Sequence, residues 1–203
     1  MKVLSTIIFC AMLIANLDAQ TERIDKLFFD YSAGECPGAS VIVSIDGKIV
    51  FKKSFGFANL EDDTRIEPRT NFRLASVTKQ FTAASILILI QRGLLKLDTK
   101  LTDIYENFPD YGERITIKNL LNHTSGLVDY EDLISDTTTI QVKDPDVLSM
   151  MFAQHATYFE PGTQFKYSNT GYALLAMIAE KISGKSFAQF LFADKGDRVF
   201  QYL

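Results

Sequence analysis

Two side chains three residues apart, Ser76 and Lys79, have the types and the spacing that nucleophilic catalysis needs. A serine hydroxyl is a weak nucleophile until a neighbouring base takes its proton. Residues three apart share one face of a helix, so on a helix the Lys79 amine can reach the Ser76 hydroxyl. The pair therefore predicts a Ser76 nucleophile with Lys79 as its proton acceptor. On spacing alone, an N-capping serine followed by a solvated lysine explains the pair equally well, and that alternative stays open.

A second pair of polar side chains, Tyr167 and Asn169, follows a Glu-Pro-Gly turn at residues 160–162 and precedes a predicted helix. A tyrosine phenol can relay protons, and an asparagine amide can orient a substrate amide. The same Tyr-x-Asn spacing occurs at residues 105–107, where no turn and helix follow. Tyr167 and Asn169 are therefore the candidate partners of the first pair, and an ordinary half-buried aromatic is the simpler alternative for Tyr167.

Blocks of sequence around these residues follow one another in a fixed order along most of the chain. The blocks are residues 56–59, 72–79, 119–127, 159–162 and 165–172. In this order they resemble the serine β-lactamases of class C, the D-alanyl-D-alanine carboxypeptidases of the penicillin-binding-protein type, and related esterases. The resemblance implies a serine hydrolase with a β-lactamase/DD-peptidase-like fold, which hydrolyses an amide or ester through an acyl-enzyme.

The resemblance also implies the role of each candidate side chain. Ser76 is acylated and its own backbone N–H is one oxyanion donor, Lys79 and Tyr167 share base and acid duties, and Asn169 contacts Lys79 and the substrate. The implied partner is a small-molecule or peptide substrate: a β-lactam, a peptidoglycan stem peptide or another D-amino-acid peptide, or an ester. No cofactor is expected, because the nucleophile and the base are both side chains.

One motif of this family does not occur in the sequence. The family carries Lys or His, then Thr or Ser, then Gly on a strand well after the tyrosine, and neither form follows Tyr167. After Phe190 the sequence no longer resembles the family. We therefore expect residues 20–203 to be the N-terminal portion of such a domain, with the C-terminal strands missing. A second interpretation stays open, in which the product is a catalytically impaired fragment that acts, if at all, as a binding or interaction protein through unpaired strand edges.

Charge and histidine content limit the other function classes. The formal net charge is −4, with both signs interspersed and no basic stripe, so nucleic acid is not an expected partner. His123 and His155 are the only histidines, and neither lies near cysteines or paired carboxylates at metal-ligand spacing, so no metal site is expected. By the resemblance, His123 belongs to a structural turn beside the site.

The first 19 residues are typical of a secretory leader. Lys2 is followed by an apolar stretch to Ala15, and a cleavage region ends at Ala19. We expect residues 1–19 to be a signal peptide and the product to be secreted or periplasmic. An uncleaved N-terminal anchor is the alternative.

The remaining pattern predicts an α+β fold, in which an antiparallel sheet packs with a mainly helical region. A helix is expected over residues 21–31, and strands over 39–45 and 48–57 flank an Asp-Gly hairpin turn. Residues 83–90 are apolar almost all round and predict a helix buried on every side. Further helices are expected over residues 117–122, 145–154 with Asp144 as its cap, and 171–183 with Gly184 as its stop.

Overall fold

A computed structural model describes residues 21–32, 36–135 and 137–193. The predicted signal peptide and the end of the tail lie outside the described residues. The chain divides into two compact units, residues 1–73 and residues 74–203. Strands occur in the first unit and helices dominate the second, so the described residues have the α+β composition that the sequence predicts.

The first unit is built around a hairpin. Helix α1 covers residues 21–27, and a 3-10 turn follows it at Phe29–Tyr31. Strands β1 (Ala39–Ile45) and β2 (Lys48–Phe55) then pair antiparallel. Between them Asp46 and Gly47 have φ values of 49° and 74°, which is the geometry that a two-residue Asp-Gly turn supplies. The predicted hairpin is confirmed.

The strand predicted over residues 48–57 is interrupted at Gly56. This glycine has a φ of 68°, and a Cβ atom there would lie 2.7 Å from the Cα of Gly38. The left-handed backbone ends β2, and a second two-stranded sheet follows, formed by β3 (Phe57–Asn59) and β4 (Thr64–Arg65). Only glycine satisfies both the close approach and the positive φ at this position.

The second unit is helical in its described part. A 3-10 turn at Ala75–Thr78 runs directly into α2. The α-helices are α2 (Lys79–Gln91), α3 (Leu101–Ile104), α4 (Ile117–Leu121), α5 (Asp144–Phe152), α6 (Asn169–Ser183) and α7 (Phe187–Ala193). Helix α6 packs against α2, α4, α5 and α7, and its buried face contributes Leu174, Leu175 and Ile178 to the core. This central helix carries Asn169 as its first residue.

Helix α2 is not buried on every side as predicted. Ile86 and Leu89 are fully buried, whereas Leu87, directly after Ile86, is 53% exposed. Among the described α-helices, α6 and α7 pack against α2, and the side of α2 that bears Leu87 stays exposed. An apolar helix carries no sequence signal for which of its sides is covered, which is why the periodicity did not show this.

Two helix starts differ from the prediction by one or two residues. Helix α5 begins at Asp144 itself, and Lys143 is its N-cap, because the Asp146 carboxylate accepts the Lys143 backbone N–H at 2.9 Å. Helix α6 begins at Asn169 instead of Gly171, because the Ser168 hydroxyl accepts the N–H of Gly171 and caps the helix. The end of α6 at Gly184, with a φ of 68°, is confirmed.

Candidate active site

The candidate nucleophile lies in a tight turn at the start of α2. Ala75, directly before it, has a φ of 46°, a left-handed conformation that costs a non-glycine residue about 1–3 kcal/mol. Ser76 follows in the 3-10 turn and is exposed. The Lys79 N–H then closes the turn on the Ser76 carbonyl. The strained turn presents the Ser76 hydroxyl at the surface of the second unit.

Lys79 lies on the same face as Ser76, as its spacing predicts. Its Nζ donates to the Ser76 Oγ at 3.2 Å and to the Asn169 Oδ1 at 2.7 Å. The Lys79 side chain is half-buried, and the N-cap residue of α2 is Thr78, with no side-chain cap at that helix start. These contacts contradict the alternative of a capping serine with a solvated lysine.

Tyr167 completes the surroundings of the Ser76 hydroxyl. Its phenol oxygen lies 2.6 Å from the Ser76 Oγ, and the Lys79 Nζ lies 4.8 Å from the centre of its ring. Hydrogen bonding from Lys79, and then from Ser76, holds the pKa of the Tyr167 phenol below its ordinary value. Because the ring is 45% exposed, these contacts and not burial determine the shift. The phenol therefore gives up its proton more readily here than a free tyrosine does.

Asn169 connects this group to two acidic side chains. Its Nδ2 donates to the Glu131 Oε1 at 3.0 Å, and its backbone N–H donates to the Asp129 Oδ2 at 2.7 Å. Asp129 is only 8% exposed, and its other oxygen accepts the N–H of Glu131 at 3.2 Å. All four predicted residues thus belong to one hydrogen-bonded network, which two carboxylates extend.

The network also includes His123, at the turn after α4. His123 has a φ of 60°, its Nδ1 accepts the N–H of Ser168 at 3.2 Å, and its ring lies 4.6 Å from the ring of Tyr167. Burial, and then the positive charge of Lys79, lower the pKa of His123. A neutral imidazole is therefore favoured, which leaves Nδ1 free to accept the Ser168 N–H. The imidazole ring packs against the ring of Tyr167.

Glu131 and Asp129 carry no separate signal in the sequence. Two acidic residues on a polar loop are typical of a solvated surface. Their contacts with Asn169 become visible only in the structure, where the loop lies against the start of α6. In the described ranges 21–32, 36–135 and 137–193, no group of three or more His, Cys, Asp or Glu side chains is placed to hold a metal ion. Over the same ranges, no helix is both long and apolar enough to cross a membrane.

Relatives of known sequence cover much of the chain. A penicillin-binding protein of Bacillus subtilis is 39% identical over 155 residues, which are 75% of this chain and 34% of that protein. The protein flp of Staphylococcus aureus is 31% identical over 179 residues, which are 84% of this chain and 35% of the relative. The chain thus spans about a third of the length of these relatives.

Solved structures share the fold. The D-amino acid amidase of Ochrobactrum anthropi in complex with D-phenylalanine is 27% identical, with a TM-score of 0.70 over 91% of this chain and 50% of that one. The penicillin-binding protein of Bacillus halodurans is 37% identical, with a TM-score of 0.60 over 70% of this chain and 44% of that one. The family model described as Beta-lactamase matches residues 24–196. With that match, these neighbours and this fold, the chain belongs to the beta-lactamase family.

Proposed function

We propose that this chain supplies the acylation machinery of a serine hydrolase, which cleaves an amide or ester through an acyl-enzyme on Ser76. One observation carries the proposal: the Ser76 Oγ lies 2.6 Å from the Tyr167 phenol oxygen and 3.2 Å from the Lys79 Nζ. A hydroxyl held between a phenol of lowered pKa and a lysine has the proton acceptor that a serine nucleophile needs.

The proton movements follow from these contacts. The Tyr167 phenolate takes the proton of Ser76 as the Oγ attacks the substrate carbonyl carbon, and Lys79 stabilises the phenolate and the developing negative charge. The backbone N–H of Ser76 is the proposed donor to the oxyanion. When the tetrahedral intermediate collapses, the bond to the amine or alcohol breaks, and Tyr167 returns the proton to this leaving group. Water then attacks the acyl-enzyme by the reverse sequence of proton transfers.

The substrate proposed is a small molecule or peptide with a reactive carbonyl. The relatives and neighbours include penicillin-binding proteins and a D-amino acid amidase, which supports a β-lactam, a D-amino-acid peptide or amide, or an ester. The chain spans about a third of the length of these relatives, so turnover by the residues described is itself part of the proposal. The alternative is that the chain binds a ligand or a partner without efficient turnover.

Covalent labelling tests the nucleophile. A fluorophosphonate probe should label the full chain on Ser76, and Ser76→Ala should abolish the label. Ser149 is an exposed serine on α5, so Ser149→Ala is the matched control and should label as the parent does. An adduct mapped by mass spectrometry to another serine would rule the proposal out. Labelling on Ser76 without hydrolysis of a chromogenic β-lactam or nitrophenyl ester would favour the binding function.

We also propose export of the chain, on the basis of the leader sequence at residues 1–19. Expressed in a Gram-negative host, the protein should be recovered from the periplasm with an N-terminus near Gln20. N-terminal sequencing gives the answer directly. A cytoplasmic product that begins at Met1 would contradict the proposal.

A further inference from the structure

The side-chain amide of Asn169 lies between a cationic and an anionic side chain. Its oxygen accepts from the Lys79 Nζ at 2.7 Å, and its nitrogen donates to the Glu131 Oε1 at 3.0 Å. Rotating the amide by 180° would bring its NH₂ group against the lysine and its oxygen against the carboxylate. Both hydrogen bonds would be replaced by repulsive contacts, since lysine only donates and a carboxylate only accepts. Lys79 and Glu131 together therefore define one amide orientation.

The loop that carries Glu131 is attached to the first turn of α6. The buried Asp129 carboxylate accepts two backbone N–H groups, one from Glu131 and one from Asn169. Next to it, the Thr170 hydroxyl accepts the N–H of Tyr130 at 2.7 Å and donates to the Val128 carbonyl at 3.0 Å. These bonds hold the backbone of Glu131 at a fixed position relative to Asn169. The Glu131 carboxylate is therefore held within reach of the Asn169 amide before any substrate binds.

The carboxylate of Glu131 has no cationic partner of its own in the part of the chain that the structure describes. The ion pairs there join Lys53 to Asp25, Lys100 to Glu113, Arg114 to Glu160, and Lys166 to Asp132. Its only side-chain bond within these ranges is the one that it accepts from the Asn169 amide. A charged group that makes a single bond, and makes it to a residue of the candidate site, is better explained by that site than by the stability of the loop.

We propose that Glu131 is a positioning residue for the acylation step. By fixing the Asn169 amide with its oxygen toward Lys79, it holds the Lys79 Nζ against the Ser76 Oγ. Glu131 acts through Asn169 and touches neither the serine nor the lysine in the bonds described above. The inference rests on the proposed function, because the consequence it assigns to Glu131 is a faster acylation of Ser76. The amide orientation itself is a property of the structure and can be measured separately.

The kinetic test compares substitutions that keep or remove the acceptor at position 131. The pseudo-first-order rate of Ser76 labelling by a neutral fluorophosphonate should fall about tenfold in Glu131→Ala, the effect of losing one charge-assisted hydrogen bond. Glu131→Gln retains an acceptor oxygen without the charge and should label within about twofold of the parent. Glu106 is exposed in the same unit, and Glu106→Ala is the control that should leave the rate unchanged.

A spectroscopic test follows the amide without any chemistry on Ser76. The side-chain NH₂ resonances of Asn169 are assigned by their loss in Asn169→Asp. They should exchange slowly with solvent in the parent and in Glu131→Gln, and rapidly in Glu131→Ala. If Glu131→Ala does not fold, as judged by its circular dichroism spectrum, Glu131→Met replaces it because it keeps the length of the side chain without an acceptor.

Two results would overturn the inference. In the first, the acceptor-free variant labels as fast as the parent and its Asn169 NH₂ exchange is unchanged. In the second, Glu131→Gln is as slow as Glu131→Ala, which would make the charge and not the amide orientation responsible. A parent chain that does not label on Ser76 would instead contradict the proposed function, and the exchange measurement would still decide whether Glu131 fixes the amide.

Discussion

The hydroxyl of Ser76 has two polar neighbours of different chemistry, and the proposed mechanism gives each of them a different part in activating it. The Tyr167 phenol oxygen is the nearer one, at 2.6 Å, and the Lys79 Nζ is at 3.2 Å. A phenol can both accept and donate a proton, and the Lys79 Nζ donates to the Asn169 amide oxygen as well as to Ser76. In the proposed mechanism Tyr167 exchanges the proton with Ser76, and Lys79, the more distant neighbour, stabilises the resulting charge.

The pH dependence of acylation tests this division. Because the pKa of Tyr167 is lowered, the phenolate fraction increases with pH through a value below the ordinary 10.0 of a tyrosine. The labelling rate of the parent should therefore rise with pH and level off below pH 10. Tyr167→Phe should lose this inflection and label about 10²–10⁴ times more slowly, the usual contribution of a general base. A variant that kept the inflection of the parent would assign the proton transfer to another group.

Five residues of the network are predicted from the sequence, and Asp129 and Glu131 are not. Ser76, Lys79, Tyr167 and Asn169 belong to ordered blocks whose resemblance to a known family, and not their spacing alone, implies what they can do, and the same resemblance places His123 in a turn beside them. Glu131 acquires its role only from the amide that it touches, 38 positions away in the chain. A contact between a loop and a helix start leaves no periodicity in either segment, so no pattern in the sequence could have indicated it.

At the scale of elements, the site depends on how the turn after α4 meets the start of α6. His123 in the turn accepts the Ser168 N–H, and the Ser168 hydroxyl accepts the N–H of Gly171. The Ser168 N–H therefore has a partner from a second element, while the Gly171 N–H is capped by the N-cap residue of α6 itself. Since Tyr167 and Asn169 flank Ser168, the same bonds that cap α6 also orient the two candidate side chains.

Protonation of His123 should weaken this junction. Its pKa in the folded chain lies below the ordinary 6.5, so the unfolded chain takes up the proton first as the pH falls. The stabilisation from the neutral ring is therefore fully present above about pH 6.5 and is lost as the pH falls through the folded pKa. In the parent, the free energy of unfolding should fall across this range.

The variant His123→Asn isolates this contribution. Asparagine tolerates the positive φ at this position, but it does not titrate, so the difference in unfolding free energy between pH 5 and pH 7 should become smaller. At pH 7 the variant should lose about 1 kcal/mol, the typical worth of one hydrogen bond. Urea unfolding followed by circular dichroism measures both quantities. The control is His155→Asn, at an exposed position after α5, and an equal change of slope in that variant would refute the assignment.

Element boundaries show where local sequence signals suffice and where they do not. The Asp46-Gly47 turn was predicted correctly, because both residues adopt a positive φ that few others accept. The predicted start of α6 at Gly171 is two residues late. A glycine is typical of a helix boundary, but the N-cap is the side chain of Ser168, and the helix begins at Asn169. The break in the strand at Gly56 depends on the approach of Gly38, a contact outside either local pattern.

At the scale of the whole molecule, composition and pattern were enough to give the α+β class. They did not show how the helices of the second unit pack, and α2 illustrates why. Its residues are apolar in almost every direction, so no amphipathic stripe indicates the buried side. Packing with α6 and α7 decides it, since Ile86 and Leu89 lie fully buried in the shared core while Leu87 stays at the surface of the described residues.

Two leucines two positions apart on α2 therefore make a matched pair for testing the core. Leu89 is fully buried, so Leu89→Ala removes apolar contacts and leaves a cavity, with an expected loss of about 2–5 kcal/mol in the free energy of unfolding. Leu87 is 53% exposed, and Leu87→Ala should cost less than about 1 kcal/mol, because the helix propensities of the two residues are similar and little apolar surface is lost. Urea unfolding of both variants beside the parent measures the difference. Equal losses in the two variants would mean that the α2 face bearing Leu87 is covered in the folded protein, and the orientation of α2 described above would be wrong.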